Sequence, residues 1–267
     1  MPSLGLPSIP AWVDSLQAKS RYAFRREEAI EGTGRSAFAV RMGLWRLVRK
    51  GRLLSPRRGF FVIVPLEYMG GGGLPANRYI HDLMAFLGQP YYVGLLSAAE
   101  IHGAAHQASQ EFQIVTNRPV RTIQAGRARI TFHVKRLLER TPVVQVKTVS
   151  GTIPVSAPEA TALDVVQRPH VSGGLDNVAT ILAELGERLD PAKLAAAARI
   201  LGEEAPAQRL GHLLDFVGHE RLSGPLAKWL SRRKPYPVRL RPDRPAAGAK
   251  MDPKWLVLVN EAVESEA

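Results

Sequence analysis

Cysteine is absent from the 267 residues, which excludes disulfide frameworks and thiolate metal sites and agrees with a reducing cytoplasm. A long uninterrupted apolar run is missing too. The longest uncharged stretch, Leu83 to Ala99, is broken by Gly88-Gln89-Pro90 and is shorter than the ~18–20 residues of a membrane-spanning helix, so it reads as two buried elements. Met1 to Ser20 lacks a basic leading segment and carries Pro7, Pro10 and Asp14, which argues against an export signal. The expectation is a cytoplasmic protein with no membrane partner. Gly70 to Gly73 has no adjacent Lys-Ser or Lys-Thr, so it fails as a phosphate-binding loop and reads as a linker.

Acidic residues are also scarce, 24 against 36 Lys and Arg, leaving a formal charge of +12. That balance favours a polyanionic partner, either nucleic acid or an acidic membrane surface. The shortage is concentrated. Residues 1–65 hold twelve Lys and Arg against four Asp and Glu, whereas residues 66–267 hold 24 against 20.

What the first quarter does contain is a helix-rich pattern followed by a hairpin. Helices are expected over Ala11 to Lys19 and Arg25 to Ile30, then, after Gly32-Thr33-Gly34, a third capped by Ser36 and running to about Lys50. On that third helix Ala37, Val40, Leu44, Leu47 and Val48 form the stripe a three-helix core would bury. Arg35, Met42, Arg46 and Arg49 lie opposite. Arg52 to Ser55 and Gly59 to Val64 read as two strands joined by Pro56-Arg57-Arg58, which completes a winged helix-turn-helix. In duplex DNA the third helix would enter the major groove, led by Arg35 and Ser36, with Arg41, Arg46 and Arg49 serving bases or backbone. Arg57 and Arg58 would reach phosphates or a minor groove. The same residues also fit a solvated cationic face on a domain used for protein contact.

The rest of the chain suggests an α+β domain. A helix over Asn77 to Leu87 and a capping-box spacing at Ser97-Ala98-Ala99-Glu100 come first. Strands follow at Phe112 to Thr116, Val120 to Gln124, Ala128 to Val134, Val143 to Val149 and Ile153 to Val155, and their short turns suggest a mostly antiparallel meander. A second capping-box spacing at Ser156-Ala157-Pro158-Glu159 opens a helix to about Val166. Helices near 175–186, 191–201, 206–218 and 222–231 and a strand at Trp255 to Val259 complete the reading. The expected division is 1–66 winged helix-turn-helix, 67–76 Gly-rich linker, 77–267 α+β domain.

Chemistry-bearing patterns in this second region are sparse. His102 and His106 have helical ligand spacing, but Gly-Ala-Ala between them offers no general base. Gln145-Val146-Lys147 resembles the acid-x-Lys of metal nucleases with Gln replacing the carboxylate, a poor ligand for a hard cation. Asp164 could be a buried carboxylate with a partner, but the reading favoured is structural, a polar position on a half-exposed helix or a pairing with Arg. Arg232-Arg233-Lys234 with Tyr236 could extend a nucleic-acid surface, contact an acidic protein or be a solvated tail. These residues imply no catalytic group, no metal and no cofactor.

The whole chain resembles the AbiEi family of bacterial type IV toxin-antitoxin antitoxins. The resemblance is carried by Leu44-Trp45-Arg46-Leu47-Val48-Arg49-Lys50-Gly51 with Arg57-Arg58-Gly59-Phe60, by Tyr91-Tyr92-Val93-Gly94-Leu95-Leu96-Ser97-Ala98-Ala99-Glu100-Ile101-His102-Gly103, by Val155 to Asp164, and by Trp255 to Asn260. Arg241-Pro242-Asp243 departs from it, standing where a Leu-Asp-Pro-like turn is usual. The resemblance implies a winged-helix domain that binds inverted repeats in its own promoter and represses transcription. It further implies an antitoxin domain that counters a nucleotidyltransferase-like toxin, and it implies no enzymatic activity. Two other readings stay open: a nucleic-acid-modifying enzyme targeted by the winged helix, and a plain transcription regulator whose second domain binds a ligand or dimerises.

Overall fold

The computed structural model describes residues 7–71, 73–104 and 111–264. The first helices are α1 (Ile9–Ala18), α2 (Arg26–Thr33) and α3 (Ala37–Arg49), with strand β1 (Ala23–Arg25) between α1 and α2. The hairpin is β2 (Leu53–Arg57) and β3 (Phe60–Ile63), followed by α4 (Leu66–Met69), α5 (Ile80–Leu87), β4 (Tyr91–Val93) and α6 (Leu95–Ile101). Then come β5 (Glu111–Thr116), β6 (Ile123–Ala125), β7 (Ala128–Val134), β8 (Val143–Thr148) and β9 (Gly151–Ser156). The last stretch holds α7 (Pro158–Gln167), α8 (Gly174–Leu185), α9 (Pro191–Leu201), α10 (Glu204–Phe216) and α11 (Glu220–Ser231), and strands β10 (Val238–Arg239), β11 (Lys250–Asp252) and β12 (Val257–Val259). The fold class is α+β, as expected.

The chain divides into two compact units, one of Met1–Tyr91, Gln110–Lys135 and Gln145–Ile153, the other of Tyr92–Ser109, Arg136–Val144 and Pro154–Ala267. Strands β4 to β9 form a six-stranded sheet in the order β6-β7-β5-β4-β9-β8. It is mixed, which corrects the antiparallel meander: β6–β7 is antiparallel, but β5–β7 and β4–β9 are parallel. Turn residues alone mark where strands end and leave open which strand each one joins.

In the first unit, Ile9, Val13 and Leu16 of α1 meet Ala29 of α2, Val40 and Leu44 of α3, and Phe24, Leu53 and Ile63 of the strands. Trp12 sets its edge against Phe24 at 4.9 Å between centroids, and Phe24 stacks on Phe61 at 5.6 Å. Close helix approach depends on Gly43, where a Cβ would lie 2.2 Å from Ile9 Cδ1. The strand β1, absent from the sequence reading, pairs antiparallel with β3 and makes the three-stranded order β1-β3-β2. Its three residues are too few for alternation to reveal. Ala37, expected in the buried stripe, is exposed at the first turn of α3.

In the second unit the leucines, valines and alanines of α7 to α11 make the principal core, closed by Trp255 and Val257. Both capping-box assignments fail here. Helix α6 starts at Leu95 with Ser97 buried inside it, and α7 starts with Pro158 at its first position while Ser156 Oγ bonds Thr161 Oγ1 at 2.7 Å. Pro158 at the first helical position has no N–H to satisfy and makes Ala157 the N-cap, so Ser156 lies one residue outside the cap and its hydroxyl serves a core contact.

Candidate nucleic-acid interface

Helix α3 presents the cations singled out by sequence. Ser36 is its N-cap and accepts from the Ala39 amide at 3.3 Å, which commits that hydroxyl to the helix. Arg35, just outside the helix, donates from Nε to the Pro7 carbonyl at 3.2 Å. Arg41, Arg46 and Arg49 are all exposed, and the helix carries no acidic residue. Two of these arginines lie over aromatic rings of their own helix: Arg41 over Phe38 at 5.3 Å, and Arg49 over Trp45 at 4.9 Å to the ring centroid. A guanidinium resting on a ring face loses side-chain freedom but keeps its edge N–H donors for another partner. Arg46 lines a cleft of about 590 Å³ with Arg35, Phe38, Met42, Lys50 and the start of α1.

The wing is tighter than expected. Its turn is Arg58-Gly59 alone, with Gly59 at φ +88°, where a side chain would be strained. Pro56 and Arg57 belong to β2, and the pairing shifts register between Leu54 and Arg57. Proline cannot donate to a ladder, so it sits where the ladder is irregular. Arg58 is exposed at the tip, whereas Arg57 is half-buried and donates from Nη2 to the Arg121 carbonyl at 2.8 Å. Arg121 precedes β6 in the same compact unit, and its own side chain is exposed. Sequence reasoning missed it because 64 positions separate it from Arg57. It missed Phe38 and Trp45 as well, although two large apolar residues interrupting a cationic face were a legible signal. Arg52 is a different case: it pairs with Asp14 of α1 at 2.8 Å and serves the fold.

The second unit uses several of its ionisable groups internally. Asp164 is fully buried and accepts from the Tyr92 hydroxyl at 2.8 Å, so its role is structural, but on a buried helix face and with a phenol partner where a half-exposed position or an arginine was expected; burial and the adjacent carboxylate push the Tyr92 phenol upward. His102 Nε2 meets the Ser156 carbonyl at 2.7 Å, and its proposed companion His106 lies outside the described residues. Gln145 and Lys147, on the part of β8 that belongs to the first unit, are exposed. Asp215 takes hydrogen bonds from Trp255 Nε1 at 2.7 Å, Ser223 Oγ at 2.6 Å and Lys254 Nζ. Burial would raise its carboxyl, but those three donors outweigh it and hold the group below its ordinary value. Arg241 pairs with Asp243 at 2.7 Å and Glu261 at 3.0 Å, so the departing turn is fastened by its own charges. Among the described residues no group of three or more His, Asp or Glu is arranged to hold a metal ion, and no helix is long and apolar enough to cross a membrane.

Residues 92–216 match the family model of the AbiEi antitoxin C-terminal domain. The fold is similar to the crystal structure of the RV2827C protein from Mycobacterium tuberculosis, with a TM-score of 0.66 at 17% identity, covering 96% of this chain and 94% of that one. No curated protein matches the chain.

Proposed function

We propose, from the match of residues 92–216 to the AbiEi antitoxin C-terminal domain, that the chain is the antitoxin of a bacterial type IV toxin-antitoxin system and represses its own operon. The winged helix binds inverted repeats in the promoter, and the remainder counters a nucleotidyltransferase-like toxin in the cytoplasm without catalysis of its own. One observation carries the DNA half: α3 turns Arg41, Arg46 and Arg49 outward with no acid among them, and Arg58 stands at the tip of a wing in the same unit. Phosphate neutralisation and groove contact need that arrangement. An inverted repeat would take two protomers, one on each half-site.

Two measurements test the reading. In a gel shift at physiological salt, the full chain should prefer the DNA upstream of its own gene over random duplex, and equal affinity would sink the operator claim. Co-expression with the adjacent nucleotidyltransferase-like gene should restore growth; an unprotected culture would leave a plain transcription regulator as the better account.

A further inference from the structure

Phe38 and Trp45 stay 66% and 51% exposed on the outward side of α3, while Val40 and Leu44 turn into the core of the same unit. Seven residues apart, they lie two turns from each other on one stripe, separated by about 10 Å along the helix axis. Half-buried Met42 lies between them in sequence. Each ring carries an arginine, Arg41 on Phe38 and Arg49 on Trp45. The face is therefore apolar along its middle and cationic beside it.

Duplex DNA offers the matching surface. The major groove is walled by phosphates, is wide enough for an α-helix, and has on its floor one prominent apolar group, the C5-methyl of thymine. An acidic protein would also complement the arginines, but Arg58 at the wing tip and the exposed Arg121 before β6 lie in the same unit as α3 and suit a phosphate backbone. We propose that Phe38 and Trp45 are specificity-determining residues that read thymine C5-methyl groups in the major groove, about three base-pair steps apart. The proposal rests on the DNA-binding reading above. The stacked guanidinium groups hold the rings in place and direct their remaining N–H donors to phosphate or to guanine edges.

The test titrates the full-length protein, at fixed salt, against the duplex upstream of its own gene prepared once with thymine and once with deoxyuridine throughout. Uracil differs from thymine only in lacking the methyl. Affinity should fall about fourfold for each methyl group that a ring no longer meets, and about fifteenfold for two. The Phe38→Ala, Trp45→Ala double variant should bind the thymine duplex as weakly as the unaltered protein binds the uracil duplex, and should no longer distinguish the two. The Phe38→Leu, Trp45→Leu pair, which keeps apolar contact, should retain part of the discrimination. Equal affinity for both duplexes overturns the inference and leaves DNA binding standing, as does a uracil penalty that persists in the alanine variant. If the thymine duplex binds no better than random DNA, the operator reading fails and the inference with it.

Discussion

On helix α3 and the wing, Arg41 and Arg49 are stacked on rings and Arg57 is tethered by a single bond to a carbonyl oxygen, and their other donors stay available. In the helical region that ends the chain, charges are consumed in internal pairs: Asp215 satisfies three donors, Arg241 two carboxylates and Asp164 a buried phenol. The first pattern keeps charge ready for a partner. The second fixes a fold, since a buried or half-buried charge is tolerated only when paired. A count of charged residues cannot tell these uses apart, but the identity of each side chain's neighbours does.

Substitutions can break this contrast, starting with the largest effect. Trp255→Ala removes a side chain only 2% exposed and should cost about 3–5 kcal/mol in urea unfolding. Asp215→Asn should cost about 2 kcal/mol, because a charged acceptor of three hydrogen bonds is removed. It should also change the acid response. With the folded-state carboxyl held below its ordinary value, the stabilisation is complete above the unfolded pKa of about 3.9 and disappears as pH falls through the folded one. Unfolding titrations of the variant should therefore be flatter below about pH 4 than those of the unaltered chain.

The winged helix should behave in the opposite way, with binding altered more than stability. Replacing Arg57 and Arg58 by alanine should flatten the dependence of log affinity on log salt by up to about two units, one for each phosphate released. An unchanged slope would mean that the wing stands off the backbone. Smallest of all, Phe38→Ala should shift unfolding stability by no more than about 0.5 kcal/mol, since its ring is exposed. A larger loss would assign that ring to the core.

The sequence was most legible where one physical rule acted alone. Amphipathic spacing located α3 and the helices from α8 to α11, and Ser36 capped α3 as its position required. Reading failed where two rules competed. Ser97 and Ser156 had capping spacing, yet burial of Ser97 and the preference of Pro158 for a first helical position decided otherwise. Sheet order was hidden because the parallel pairing of β5 with β7 depends on partners that turn chemistry does not name. Of the interface, the cations were visible and their tethers were not. Arg41 and Arg49 read as free charges until the rings beneath them were located.

The bond from Arg57 to the Arg121 carbonyl bears on how the molecule can be dissected. A fragment ending at the glycine run would contain every residue of helix and wing and still sever this tether, leaving the wing arginine without its acceptor. The shortest fragment that preserves it must continue through β6, and through β7, with which β6 pairs. Loss of binding by a shorter piece would then report a wing set adrift and not the absence of a contact to DNA.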